Sequence, residues 1–225
     1  MDDSSECCFD HYAEGWARKV RRRGIAARVS RPLIEAVETR GVRGRTVLDL
    51  GCGVGDVVLD LVDRGAERGR GYDLSPRSIE TARALAVERG QADRASFEVG
   101  DASRVDLPPS DVVVLNRVIC CYPDVETLLE RSLGAATSVY AFSVPRSKGI
   151  VGALARLQVR MDNWWSRRRP DRYGSFQAFV HDVDAIDARV RSAGFARVHA
   201  EHRWFAWLLA VYERPTARAG VGLRT

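Results

Sequence analysis

Val47-Leu48-Asp49-Leu50-Gly51-Cys52-Gly53-Val54-Gly55-Asp56 is a buried-strand run that breaks into a glycine-rich turn and opens a helix. Glycine suits such a turn because the backbone bends sharply there and a ligand approaches it closely. Taken alone, a G-x-G-x-G run is shared by phosphate-binding turns. Two acids downstream narrow the reading. Asp73 ends a second short strand 22 residues past Gly51, where a carboxylate holds ribose hydroxyls. Asp101 follows Gly100 after a third strand, where a carboxylate accepts from an adenine amino group.

Working outward, short apolar runs alternate with helical patterns. Arg45 to Leu50 is the first strand, and Val57 to Val62 carries apolar residues at helical spacing, closed by Arg64-Gly65. Gly71 to Leu74 is a second strand. Ser75-Pro76 then predicts a capped helix to about Arg89, with Ile79, Ala82, Leu85 and Ala86 on one face. Ser96 to Val99 and Asp111 to Leu115 are strands three and four, and the run Val112 to Leu115 reads as buried on both faces. A helix over Val125 to Leu133, a strand over Ser138 to Val144, a helix capped by Asp182 and ending at Ser192, and a hairpin of Ala196–Glu201 with Trp204–Tyr212 complete the series. Alternation of this kind predicts an α/β, Rossmann-like, doubly wound, mostly parallel sheet. The expected division is an N-terminal helical lid over 1–44, the α/β domain over 45–215 and a loose tail over 216–225, with a second lid over 145–181.

Composition sets the outer bounds. The chain has 225 residues, 45% hydrophobic and 29% charged, which excludes wholesale disorder and favours one domain. No apolar run reaches the 18 or so residues of a membrane-spanning helix. The start, Met1 to Tyr12, lacks a basic region followed by an apolar one, so a cytoplasmic location is expected. Five cysteines, in the pairs Cys7-Cys8 and Cys120-Cys121 with a lone Cys52, predict reduced thiols, and their spacing predicts no metal site. The net charge is +5, but only Lys19 and Lys148 are lysines and the arginines scatter along the chain, so no nucleic-acid partner is expected from charge alone.

These elements resemble the class I S-adenosylmethionine-dependent methyltransferases over about residues 45–144. Asp49-x-Gly51-x-Gly53-x-Gly55 matches the first motif of that family, Asp73 the second and Asp101 the third, while Asn116 matches a position near the methionine end of the cofactor. Asp56 stands where a dinucleotide-binding G-x-G-x-x-G turn has its last glycine. The resemblance implies seven strands in the order 3-2-1-4-5-7-6, the last antiparallel. It also implies S-adenosyl-L-methionine as cofactor and S-adenosyl-L-homocysteine as product. Asp49, Gly51, Cys52, Gly53, Gly55, Asp73, Leu74, Asp101, Ala102, Asn116 and Arg117 are the implied cofactor-binding residues. The segment Leu115 to Pro123 is similar to that of small-molecule methyltransferases such as the magnesium-protoporphyrin and ubiquinone-type O-methyltransferases, although Cys121 stands where those often have histidine.

The expected reaction is methyl transfer to a small apolar or aromatic molecule, on oxygen. Tyr122 and His181 are the candidate general bases, with His11 third. An RNA or protein methyltransferase using Arg18–Arg31 and Arg167–Arg172 is one alternative, and a cofactor-binding regulator without turnover is another. A thiol site for arsenite at the two cysteine pairs is a further, minor one. His199 and His202 read as structural. Ile150, Val151, Leu154, Leu157 and Met161 recur at helical spacing before Trp164-Trp165. Core packing is the ordinary explanation of such a face; covering a hydrophobic substrate or touching a membrane surface are the functional ones.

Overall fold

A computed structural model describes residues 29–168, 177–203 and 206–215, together with Arg18. Its elements run α1 (Arg31–Glu38), β1 (Thr46–Leu50), α2 (Asp56–Asp63), β2 (Arg68–Asp73), α3 (Pro76–Glu88), β3 (Ala95–Val99), β4 (Ser110–Asn116), α4 (Val125–Ala135), β5 (Ala136–Pro145), α5 (Gly149–Arg167), α6 (Val183–Ser192), β6 (Ala196–Arg203) and β7 (Trp207–Glu213). A 3₁₀ turn spans Ile119–Cys121 between β4 and α4. Seven strands form one sheet in the order β3-β2-β1-β4-β5-β7-β6, as expected. β7 runs antiparallel to both β5 and β6, and the other pairs are parallel.

The run Val112 to Leu115 shows why the sheet is doubly wound. Val112 and Val114 point into the layer made by α1, α2 and α3, where Leu33, Ile34, Val58, Leu61, Ile79 and Phe97 are buried. Val113 and Leu115 point into the opposite layer with Leu128, Leu133, Tyr140, Phe142, Ile186 and Val190. A strand buried on both faces has no polar side to show, hence its unbroken apolar run. Helix starts follow their caps. Ser75 Oγ accepts from the Ser78 N–H at 3.0 Å, Asp124 Oδ1 from Thr127 N–H at 3.1 Å and Asp182 Oδ1 from Asp184 N–H at 3.0 Å. The outer strand β6, Ala-Arg-Val-His-Ala-Glu-His-Arg, carries charge on an exposed edge.

Four expectations need correction. β2 begins at Arg68, three residues before the expected start, and ends at Asp73, so Leu74 lies beyond it. The strand was hidden by its composition: Gly69 and Gly71 leave no room for side chains, since a Cβ there would lie 2.4 Å from Val58 and 2.6 Å from the Cys52 sulfur. β5 follows α4 without a loop, starting at Ala136 rather than Ser138. The hairpin strand expected from Trp204 starts at Trp207. Finally, α1 falls inside the stretch expected to be a lid, yet Leu33, Ile34 and Val37 are buried against the sheet layer, so residues 31–38 are core. His11, Cys7, Cys8, most of the Arg18–Arg31 patch and the tail 216–225 lie outside the described residues. No described helix is long and apolar enough to cross a membrane.

Candidate active site

The carboxyl ends of β1, β2 and β4 open into a cavity of about 1040 Å³, at the upper end of what small-molecule sites occupy. The glycine turn after β1 is held by backbone. Gly51 and Cys52 N–H both donate to the Tyr72 carbonyl, at 2.7 and 3.0 Å, and Gly55 N–H donates to the Cys52 carbonyl at 2.9 Å. Gly51, Gly53 and Gly55 have φ of 70°, 54° and 77°, a region costly for other residues. Their surroundings differ. A Cβ on Gly55 would sit 2.6 Å from the Phe97 ring, whereas one on Gly53 would meet nothing within 4 Å and would point into open space. Gly55 therefore serves packing at the start of α2, while Gly53 lines the cavity.

Asp73 ties this turn to the second strand. Its Oδ2 accepts from Gly53 N–H at 2.8 Å and its Oδ1 from Ser75 N–H at 2.9 Å, so one carboxylate shapes the turn and starts the loop into α3. Asp49, at the inner end of the site, is 1% exposed, and its Oδ1 has no hydrogen-bond partner among the described residues. Burial, with Asp56 and Asp73 nearby, pushes its carboxyl well above the ordinary carboxylate range. The Cys52 thiol is pushed up as well, by burial first and then by the same acids. Asp49, Asp56 and Asp73 all line the cavity, so carboxyl groups surround the glycine turn.

Asp101 closes the far side. Its Oδ1 accepts from Ser103 N–H at 2.9 Å, Ser103 Oγ at 2.7 Å and the Tyr122 hydroxyl at 3.0 Å. Burial works to raise its pKa, but the Ser103 and Tyr122 hydrogen bonds and the nearby Arg104 outweigh it and hold the carboxylate below the ordinary range. Asn116 is half-buried. Its amide donates to Ser30 Oγ at 3.0 Å, and its carbonyl accepts from Ser143 Oγ at 2.7 Å. Arg117 follows with φ 64°, its N–H bonded to the same Ser143 Oγ and its guanidinium 4.1 Å from the Trp207 ring centre. The Cys120 and Cys121 sulfurs lie 3.9 Å apart on the wall. Hydrogen bonding to Cys121 lowers the Cys120 pKa despite burial, helped by Arg117.

Asp49, Gly51, Cys52, Gly53, Asp73, Leu74, Asp101, Asn116, Arg117 and Tyr122 are thus brought to one cavity. Gly55 and Ala102 sit behind its wall, the latter 2% exposed. The two candidate bases have other tasks. Tyr122 donates its proton to Asp101, and burial together with that carboxylate raises its pKa, so it stands as a neutral phenol and a poor base. His181 is off the cavity wall, with Nε2 2.9 Å from the Tyr122 carbonyl and its ring stacked on Phe179. Sequence reading missed Ser30, Trp207 and the inner side of α5, where Ala155, Val159 and Asp162 face the cavity. None carries a motif, and only the helical spacing around 150–161 hinted that one side of α5 does something apart from packing.

Residues 47–136 match a methyltransferase domain family. The domain is that of a class I S-adenosylmethionine-dependent methyltransferase. Among curated proteins, the carboxy-S-adenosyl-L-methionine synthase of Chromohalobacter salexigens is 29% identical over 187 residues, 73% of this chain and 66% of that one. Ajmaline N-methyltransferase of Rauvolfia serpentina is 36% identical over 67 residues, 30% of this chain and 22% of that enzyme. The chain therefore spans only part of the length of these relatives. Magnesium protoporphyrin IX methyltransferase of Synechocystis PCC 6803, solved with bound SAH, shares the fold at a TM-score of 0.66 and 17% identity, over 91% of this chain and 88% of that one. The matched segment contains the glycine turn, Asp73, Asp101, Asn116 and Tyr122; Val29 and Ser30, α5 and β7, which complete the cavity, lie outside it.

Proposed function

We propose that this chain transfers a methyl group from S-adenosyl-L-methionine to a small apolar or aromatic molecule, on oxygen, releasing S-adenosyl-L-homocysteine. The observation that carries the reading is the acidic cradle. A dinucleotide would bring a pyrophosphate against Asp49, Asp56 and Asp73, whereas S-adenosylmethionine brings a sulfonium and an ammonium. The orphaned Asp49 oxygen and the open space at Gly53 fit such a ligand. Asp73 would hold the ribose hydroxyls, Asp101 the adenine amino group, and Asp49 and Asn116 the methionine end.

When bound, the cofactor supplies an activated methyl group on a positively charged sulfur. The chain supplies position and dryness. The apolar wall of Val159, Phe179, Pro123 and Trp207 excludes water and suits an apolar acceptor. Alignment of an acceptor oxygen with the methyl carbon is worth about 7–11 kcal/mol without a catalytic side chain. With Tyr122 engaged by Asp101 and His181 off the wall, neither candidate base is placed to take a proton from the acceptor, so an acidic acceptor such as a phenol or carboxylate fits best. Oxygen rests on the likeness of residues 115–123 to small-molecule O-methyltransferases. A cytoplasmic location and contact with a membrane surface go with the same reading.

The test uses methyl-labelled S-adenosylmethionine, the purified chain and a lysate of cells lacking it, with Asp73→Ala as the control. Label in the solvent-extractable fraction that disappears with the variant is expected. Label in nuclease-sensitive or protein-bound material would overturn the small-molecule assignment, and cofactor binding without label anywhere would replace the enzyme with a binder.

A further inference from the structure

α5 turns its apolar stripe away from the protein, against the expectation of core packing. Ile150, Leu154, Leu157, Met161 and Trp164 recur at alternating steps of four and three, which places them along one side of the helix. Their exposure runs from 49% at Trp164 to 82% at Ile150. Trp165, 50% exposed, borders the stripe with its ring 5.2 Å from that of Trp164. The other exposed large apolar residues described, Leu74, Val87, Val99 and Val198, are spread over the surface. A concentrated apolar patch on one helix marks an interaction surface. The opposite side of the same helix faces the cavity through Ala155, Val159 and Asp162.

Charge selects the occupant. Arg156, Arg160 and Arg167 run along one edge of the stripe, and Arg168 stands at its end with its guanidinium 3.4 Å from the Trp164 ring centre. The one acid of the helix, Asp162, is on the cavity side. Among the described residues none of these four guanidiniums is paired with a carboxylate. A second copy of α5 laid on the stripe would set arginines against arginines. An anionic bilayer offers what both parts of the helix lack: an apolar interior for the aliphatic side chains, and a negative headgroup layer for the arginines and tryptophans.

We propose that α5 docks the chain on the surface of an anionic lipid bilayer, and that the methyl acceptor reaches the cavity from the lipid phase. The docking stands on the helix alone; the acceptor's route rests on the methyltransferase reading above. With the helix lying in the interface, one side touches lipid and the other lines the cavity, so an amphiphilic acceptor passes over a single helix to reach the site. This narrows the substrate class to membrane-partitioning molecules with an acidic hydroxyl or carboxyl.

The full chain is sedimented with vesicles of phosphatidylcholine alone and of equal parts phosphatidylcholine and phosphatidylglycerol, without cofactor or acceptor. Binding to the anionic vesicles that weakens with added salt is expected. The double variant Leu154→Gln/Leu157→Gln should lose about tenfold or more in partition. Arg160→Gln/Arg167→Gln should lose about fivefold per arginine on anionic vesicles only. None of these residues lines the cavity, so calorimetric affinity for S-adenosylmethionine should be unchanged in both variants. Failure to pellet at either composition, or equal pelleting with parent and variants, overturns the docking. A dimer on gel filtration that the leucine variant dissociates assigns the stripe to a second copy instead. Vesicle binding with no labelled product in lipid extracts keeps the docking and overturns the lipid route of the acceptor.

Discussion

Replacing Asp49 by asparagine should strengthen the empty protein and weaken its hold on cofactor. Asp49 is 1% exposed, its Oδ1 lacks a hydrogen-bond partner among the described residues, and Asp56 and Asp73 crowd it with like charge. The amide keeps the shape and removes the charge. The gain is relief of a buried charge beside like charges; taken as about 1–3 kcal/mol, the scale of desolvating a buried polar group, it raises Tm by about 2–12 °C in a chain of this size. The pH dependence has a definite sign. Because the folded-state pKa is raised, the unfolded chain gives up this proton first as pH rises. The parent therefore loses stability between the unfolded and the folded pKa, and loses none below both. The gap between variant and parent should close below both pKa values, widen as pH rises between them, and be full only above the raised folded-state value. In the same variant a negative charge facing the cationic end of S-adenosylmethionine is gone. Loss of a charge-assisted bond of about 1.5–3 kcal/mol would weaken binding about tenfold to 150-fold. Thermal unfolding of the ligand-free proteins over a pH series, with titration calorimetry of cofactor, measures both halves. A Tm equal to or below the parent's, with no pH-dependent gap, would refute the strained buried carboxylate. Unchanged affinity would refute its part in the site.

Two further outcomes follow from the geometry. Tyr122→Phe removes one of three donors to Asp101 Oδ1, so cofactor affinity should fall by about 1 kcal/mol while the pH profile of turnover keeps its shape; a drop in kcat of about 10²-fold or more would restore the tyrosine as a proton acceptor. Gly55→Ala and Gly53→Ala should separate packing from binding. The first adds left-handed strain of about 1–2 kcal/mol to overpacking of about 1–3 kcal/mol against Phe97, whereas the second carries the strain alone and fills ligand space. Chemical denaturation should therefore rank Gly55→Ala as less stable, and calorimetry should rank Gly53→Ala as the weaker binder among variants still folded; the reverse order in either would overturn the division of labour.

Much of the fold was legible because burial on both faces of a parallel sheet leaves a mark that no tertiary contact can rewrite. Val112 to Leu115 and Val47 to Leu50 are apolar along nearly their whole length for that reason, and the caps at Ser75, Asp124 and Asp182 are local devices. β2 was less legible, since Arg68-Gly69-Arg70-Gly71 answers to the side chains packed over it, Val58 and Cys52, and not to a pattern of its own. In the site, the positions of Asp49, Asp73 and Asp101 could be read from spacing, because each stands at or just past the end of a strand.

The tasks of those residues depended on partners far away in the chain. Tyr122 meets Asp101 across 21 residues, Asn116 meets Ser30 across 86, and Arg117 meets Trp207 on a different strand. A side chain's protonation and hydrogen bonding are set by what folding brings beside it, which no local pattern encodes. The same holds for α5. Its periodicity alone determined that Ile150, Leu154, Leu157, Met161 and Trp164 share one side of a helix. Only the packing of Ala155 and Val159 over the cavity decided that this apolar side faces outward.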